Sequence, residues 1–545
     1  MPKRQRDNYI VHVLCAWLLL FVLDCMQCRP NGRALAAFSV DSAASSSQQQ
    51  PRHYIGFDLG TSGCRISVIQ DKIEPDSSYP EVYTQAVPWQ DGDDGNQNSR
   101  YDDPTAWMQA VTTLLTGATQ ALTSLDTVVS ICVSGTSASC LLLDRTNSGA
   151  PTRRPKARMY NYNVVEDHPD NNRFYGLQAL EVLEQYAPPR HTALSATGSL
   201  AKLLAWHMEQ PLQNSHIAGT EVLCHQADYV ALQFLKPAKT CGAGAAKNHV
   251  TVSSDWHNCL KLGYDVQALA WPAWLQNCLQ SVGVSLSVLP ATVVSPGQIM
   301  GTISADAANQ FGLPPTTVMV GGTTDSNAAF LAAIGSLQAS QGTAVVSLGS
   351  TLAIKQLSDV YVEDATMGVY SHRFPDVTTT TDLTKAKATW LVGGASNVGC
   401  AILRQEGFSN EELDELSQDI DPSQDSSLCY YPLTKRGERF PTADGSKEPV
   451  LEPKPESRKD YLHGILQSIS DVERDGFLAL GHLGASPSPP TQIWTAGGGS
   501  RNDMWGQMRQ RRLREAFQSN SIEVQKAKNV EASYGAAILA AAAFS

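Results

Sequence analysis

The stretch YIGFDLGTSGCRISVI, residues 54–69, reads as a strand, a glycine turn and a second strand. Its flanks are rich in Ile, Val, Phe and Tyr, which suit a pleated, half-buried surface, and Gly60 and Gly63 permit the reversal between them. The plan returns in GTAVVSLGSTLAIK, residues 342–355, where β-branched AVVS leads through the turn LGST into apolar LAI. Both turns carry Leu-Gly and two hydroxyl residues: Leu59, Gly60, Thr61 and Ser62 in the first, Leu348, Gly349, Ser350 and Thr351 in the second. Gly60 and Gly349 stand about one domain's length apart. The pattern implies an internal duplication, two domains each opening a hairpin toward a shared cleft.

Outward from these hairpins, strand and helix patterns alternate, which indicates α/β architecture. A helical pattern covers 105–122, and a buried strand at 128–134 leads into Gly135-Thr136-Ser137. A strand at 317–320 precedes GGTTDSNAA (321–329) and an Ala-rich helix at 328–334. Near the end, strand 493–496 runs into GGGSRND (497–503) and a helix containing Trp505. The loop 89–100, the polar break 147–156, and the stretches 435–459 and 484–490 read as surface segments.

At 545 residues the chain is too long for one hydrophobic core. Its net charge of −12 argues against nucleic acid as a main partner, since phosphate backbones are held by Lys/Arg excess. Three of the twelve cysteines fall in the first 28 residues and the other nine lack regular spacing, which is not a disulfide framework. The one C-x-x-C, Cys25 to Cys28, lies in a segment expected to be removed, and no His-x-x-x-His stands in the body. Residues 1–50 read as an address. Lys3, Arg4 and Arg6 precede the apolar run 10–23, too short to span a bilayer comfortably, then Ala34-Leu35-Ala36 and a Ser/Ala/Gln-rich tail. No stable membrane span is expected in the mature chain. The two-part layout resembles the plastid presequence of algae with complex plastids; secretion and a cytoplasmic location are the alternatives.

Turns of Gly, Thr and Ser between strands direct backbone N–H groups and hydroxyls at one point, which suits a phosphate. Gly60 and Thr61 on one side, and Gly349, Ser350 and Thr351 on the other, could grip a triphosphate between them. Asp58, immediately before the first turn, would repel such an anion without a cation between, so it is suited to Mg2+ held through water; a turn-capping Asp is the alternative. Asp325 follows a strand and precedes a helix. A carboxylate there is suited to accept the proton of an attacking hydroxyl in phosphoryl transfer, or to cap the helix. Gly497, Gly498 and Gly499 at a strand-to-helix turn let a flat ring approach the backbone, an adenine or ribose site.

These four segments, in this order, resemble the FGGY carbohydrate kinases of the actin, hexokinase and heat-shock ATPase superfamily, over roughly residue 54 to the end of the chain. The wording GTTDSNAAF, VVSLGSTLAIK, WLVGGASNVG (390–399), YPLTKRGERFP (431–441) and SSDWHN (253–258) is most similar to the D-ribulose kinases of plants and cyanobacteria. The resemblance implies two duplicated actin/hexokinase-like, ribonuclease H-like α/β domains around a central cleft: 52–335 for sugar, phosphate and base, and 336–545 for ATP. It implies a sugar bordered by Asp58, Ser62, Gly63, Cys64, Arg65 and Asp325, with Asp325 as general base. It places ATP against Gly349 and the run Gly498, Gly499, Ser500, Arg501 and Asn502. Cys64 stands where members carry small residues, and Asn161 where many carry a sugar-contacting acid.

The expected activity is transfer of phosphate from Mg-ATP to a pentulose, D-ribulose foremost, with D-xylulose or another sugar or polyol as alternatives. A nucleotide- or sugar-binding regulator without catalysis would show a broken site, whereas Asp58, Asp325 and all three glycine turns are intact.

Overall fold

The computed structural model describes residues 50–544 apart from 75–76, 90–99, 147–149, 152–155, 169–172, 210–219, 236–249 and 376–387. Residues 1–49 of the expected address, with the Cys25–Cys28 pair, therefore lie outside the described residues, as does most of the 89–100 loop and of the 147–156 break. Gln50–Ser545 forms one compact unit.

Two large sheets organise that unit. The strands of the first are β1 (His53–Leu59), β2 (Gly63–Gln70), β3 (Glu81–Pro88), β4 (Val128–Gly135), β5 (Ile299–Thr302), β6 (Val318–Val320) and β7 (Thr323–Thr324). Those of the second are β8 (Thr343–Leu348), β9 (Leu352–Ser358), β10 (Tyr370–Arg373), β11 (Trp390–Ser396), β12 (Gln492–Ala496) and β13 (Glu523–Lys526). The first runs β5-β6-β4-β1-β2-β3 with β7 also on β4, and the second β10-β11-β9-β8-β12-β13. In each, an antiparallel hairpin (β1–β2, β8–β9) gains a third antiparallel strand (β3, β11) on one side and two parallel strands (β4 and β6, β12 and β13) on the other. The two sheets thus repeat one plan, and the duplication read from two glycine turns extends to five strands in each half.

Helix α1 (Pro104–Leu122) shows how sequence sets the packing. Asp103 caps it by accepting from the Thr105 N–H at 2.8 Å, and Pro104 sits in the first turn, where no N–H partner is required. Trp107, Ala110, Val111, Leu114, Leu115 and Ala118 recur at helical spacing and pack into the core of the first sheet with Ile55, Phe57, Ile66 and Ile131. Helix α2 (Asp325–Ile334) follows β7 directly, so it begins three residues earlier than the Ala-rich run suggests. Helices α3 (Arg458–His482) and α4 (Asp503–Phe517) cover the second sheet.

The last helix, α5 (Ala532–Ala542), returns to the first sheet and lies on β1, β2, β4 and α2. Small residues permit this approach. A Cβ on Gly56 would stand 2.0 Å from the Ser533 carbonyl oxygen, and one on Gly535 1.8 Å from that of Ala328. Ser67 and Ser533 hydroxyls bond at 2.8 Å, and Ser130 donates to the Ala540 carbonyl at 2.7 Å. No helix among the described residues is long and apolar enough to cross a membrane.

The stretch 435–459, expected at the surface, is partly core. Phe440 is fully buried, with its ring against Gly394 and Gly476. The buried Glu438 carboxylate accepts from Ser396 Oγ, the Asn397 N–H and Tyr431 Oη at 2.7, 2.7 and 3.0 Å. In the 484–490 loop, Ala485 is likewise buried and the Ser486 N–H donates to Ser358 Oγ at 3.0 Å.

Candidate active site

Strand register places the first acid. Asp58 pairs with Arg65 across the hairpin and with Ser134 on β4, so three polar side chains meet on one face at the end of the sheet. Ser134 Oγ donates to Asp58 Oδ1 at 2.7 Å, and Arg65 Nη1 lies 4.0 Å from Oδ2 while its Nε is 3.2 Å from Glu531. Burial pushes the Asp58 carboxyl up to about 7, aided by the nearby charge of Asp325 and opposed by the Ser134 bond and Arg65. A carboxyl raised on folding favours the native state below its unfolded pKa, and that contribution disappears as pH rises through about 7. Asp58→Asn is therefore expected to stabilise the ligand-free protein at pH 8, by up to ~4 kcal/mol, with the gap closing by pH 4. Urea unfolding of both forms across that range checks it, and a gap that widened toward acid would contradict the assignment.

The first turn is held by its own backbone and by Trp89. The Gly60 N–H donates to the Gly63 carbonyl at 3.0 Å, Trp89 Nε1 to the Gly60 carbonyl at 2.9 Å, and the Trp89 N–H to the Ser62 carbonyl at 3.2 Å. Thr61 and Ser62 are exposed and Arg65 is half-buried. Cys64 is a correction to the expected sugar contacts. It pairs with Leu59 in the register, and its side chain is fully buried in the apolar core with Ile55, Phe57 and Ile66. Burial pushes its thiol far up, so it is an inert core group.

The second acid arrives through β7. Thr323 pairs with Ser134 and Thr324 with Gly135, so the residue that follows, Asp325, emerges beside the end of β4. Thr324, not Asp325, occupies the N-cap position; Asp325 is the first helical residue and accepts from the Ser326 N–H at 2.6 Å. Burial raises the Asp325 carboxyl above its usual range, while that N–H bond and the charges of Lys355 and Lys261 oppose the rise. Thr324 Oγ1 and Asn327 Nδ2, both buried beside it, have no hydrogen-bond partner among the described residues, the pattern of groups completed by a ligand or water.

A buried polar platform fixes this corner. His257, forced neutral by burial down to about 3, donates through Nε2 to the Arg373 carbonyl at 2.8 Å, which leaves Nδ1 to accept from Thr323 Oγ1 at 2.7 Å. Asp255 Oδ1 accepts from the N–H groups of His257 and Asn258 at 2.8 and 3.0 Å, and Oδ2 from Asn258 Nδ2 at 2.7 Å. The segment 253–258, noticed in sequence only for its resemblance, thus braces the strand that delivers Asp325.

In the second sheet, the Gly349 turn and the glycine loop meet. Gly497 has φ +84°, and a Cβ there would stand 2.6 Å from the Leu348 carbonyl oxygen, so only glycine lets the loop lie on the end of β8. The Cys400 N–H donates to the Gly349 carbonyl at 2.8 Å and Arg404 Nη2 to Ser350 Oγ at 3.2 Å; Thr351 is exposed. Gly498, Gly499, Ser500 and Arg501 form one 3-10 turn after the loop, with Arg501 exposed. Asn502 is already engaged, capping α4 through the Trp505 N–H at 2.9 Å and donating to Ser417 Oγ at 2.7 Å. Beside it lies a cavity of about 260 Å³ lined by Thr495, Gly499, Ser500, Asn502, Arg509 and Lys526, among others.

No protein-family model matches the chain. Among solved structures it is similar to a xylulose kinase from Rhodospirillum rubrum (TM-score 0.66, 20% identity, covering 90% of this chain and 89% of that one). It is also similar to the glycerol kinase of Plasmodium falciparum with ADP (0.68, 13%, 90% and 89%) and a gluconate kinase from Lactobacillus acidophilus (0.65, 15%, 90% and 89%). The fold is the two-domain actin/hexokinase type. At these identities it is the fold that is shared.

Within this actin/hexokinase-type frame the turns at Gly60 and Gly349 belong to different sheets, and Lys355 is a side chain that links the halves. From β9 its Nζ donates to Ser326 Oγ at 3.0 Å and to Asn327 Oδ1, in the first turn of α2. Sequence reading missed it, although a lysine inside apolar LAIK was the signal. The segment 157–161 lies on a further buried cation: Lys202 Nζ donates to the carbonyls of Ala138 and Met159 at 2.9 and 2.7 Å, and Asn161 is exposed, accepting from Tyr101 Oη at 3.4 Å. Among the described residues no group of three or more His, Cys, Asp or Glu is placed to hold a metal. Asp58 with Asp325 fits a divalent cation only if phosphate oxygens and water complete its shell.

Proposed function

We propose that this chain is an ATP-dependent carbohydrate kinase that converts a pentulose, foremost D-ribulose, to its 5-phosphate. The observation that carries the reading is Asp325, placed by β7 at the mouth of the first sheet beside Asp58 and linked through Lys355 to the hairpin that bears Gly349. Residues 52–335 supply the sugar side, one phosphate turn and the base, and 336–545 the ATP side, with α5 packed back on the first sheet. The names of the similar structures, xylulose, glycerol and gluconate kinases, support the reaction class.

Asp325 accepts the proton of the sugar's terminal hydroxyl as that oxygen bonds to the γ-phosphorus; the bond to the β-phosphate oxygen breaks, and ADP leaves. The N–H groups and hydroxyls of Thr61, Gly349, Ser350 and Thr351 hold the phosphates in line, with Gly60 shaping the first turn through its own N–H bond to Gly63. Gly498, Gly499, Ser500, Arg501 and Asn502 border the nucleoside. Ser62, Gly63 and Arg65 border the sugar. Asp58 would face a Mg2+ ion brought in with ATP, which would neutralise phosphate charge.

D-ribulose rests on the likeness of the quoted motifs, and D-xylulose is the nearest competitor. A coupled ADP-release assay over D-ribulose, D-xylulose, L-ribulose, glycerol and gluconate tests both levels. D-ribulose is expected to give the highest kcat/KM. A higher value for another sugar removes the substrate assignment but keeps the kinase; no turnover of any removes both.

A further inference from the structure

Lys355 has an arrangement that a structural role does not account for. Its neighbours in β9, Ile354 and Gln356, are buried, yet its ammonium leaves the sheet for the N-terminal turn of α2. The start of a helix carries partial positive charge, so an ammonium there is unfavourable unless an anion lies beside it. The anion is Asp325, which favours the charged lysine while burial and Lys261 oppose it, bringing its pKa down to about 7. The two contacts it makes, Ser326 Oγ and Asn327 Oδ1, bracket the backbone immediately after Asp325. β9 begins one residue after Thr351, so the strand that leaves the Gly349 turn is the one that carries Lys355.

We propose that Lys355 is a positioning residue that ties the Gly349 hairpin to the first turn of α2 through Ser326 and Asn327 and so fixes the place of Asp325. The inference rests on the kinase reading above. The groups that face this pair are Lys261 from the 259–262 turn, His372 from β10, His257 from the platform, and Asp58 with Arg65 from the first hairpin. Both histidines are held neutral by burial, so they leave the carboxylate–ammonium balance to the lysines.

The test compares wild type, Lys355→Met, Lys355→Arg and Lys355→Gln in steady-state turnover of the best sugar, with kcat and both KM values. Lys355→Met is expected to lower kcat by about 10–100-fold and leave KM for ATP nearly unchanged, because the turn that carries Asp325 loses the contacts that hold it. Lys355→Arg restores most of the rate. Lys355→Gln loses the ammonium, so it carries the same expectation should Lys355→Met not fold. A kcat at the wild-type value in both Lys355→Met and Lys355→Gln, or a loss that Lys355→Arg does not recover, overturns the proposal while the kinase reading stands. A wild type that phosphorylates none of the sugars takes down the kinase reading first, and this inference with it.

Discussion

Asp325→Asn is expected to lower kcat by ~10²–10⁴-fold with little change in either KM, since the amide matches the carboxylate in size but does not take a proton. The surroundings make the substitution clean. Asp325 is the first residue of α2 and not its cap, so the helix keeps its start, and the Ser326 N–H still finds the amide oxygen in place of the carboxylate. The loss should appear equally in kcat and kcat/KM, the mark of an interaction made as the proton moves. A second effect follows from charge. Asp325 helps to raise Asp58, so its removal should bring the Asp58 carboxyl down from about 7 and reduce the stability gained from Asp58→Asn. Turnover by Asp325→Asn at the wild-type rate would remove this residue from the chemistry.

The largest expected effect on stability is at the buried pair beneath the nucleotide loop. Arg509 on α4 binds both oxygens of Glu473 on α3, at 2.5 and 2.8 Å, and donates to Thr495 Oγ1 on β12 at 2.8 Å. Both ionic side chains are almost wholly buried, at 2% and 0% exposure. Arg509→Met should cost ~3–5 kcal/mol, because Glu473 is left charged and unpaired where water does not reach it. Arg509→Met with Glu473→Leu should recover much of that loss, since removing both charges also removes their desolvation cost. Denaturant titration of the three proteins checks the sign. A double variant no better than the single one would mean that the pair serves mainly to shape the end of β12.

Both hairpins were legible in the sequence because a local signal decides them: β-branched runs on either side of a glycine turn. The two acids were legible for the same reason, since each stands at the end of a strand. What escaped was set by contacts distant in the chain. Lys355 meets α2 from another sheet, and His257 reaches Arg373 more than a hundred residues away. The resemblance puts Cys64 at the sugar, whereas the register gives Asp58 and Arg65 the open face and turns Cys64 into the core. The 435–459 stretch looked like surface from its charges and prolines, yet Glu438 finds its partners some forty residues earlier. The site roles themselves stand as proposals drawn from resemblance and geometry together.

The return of α5 to the first sheet has a consequence for how the protein is made. The ribosome delivers β1, β2, β4 and α2 about 200 residues before the helix that seals them. At ~5–20 residues per second, the nascent chain waits roughly 10–40 s with the alanine-lined groove around Gly56 and Ala328 uncovered. During that interval the half that bears the acids lacks its last helix. The last turns of synthesis thus act as the closing stitch, and a message that stopped before Ala532 would yield a chain with both acids present and the sheet behind them bare.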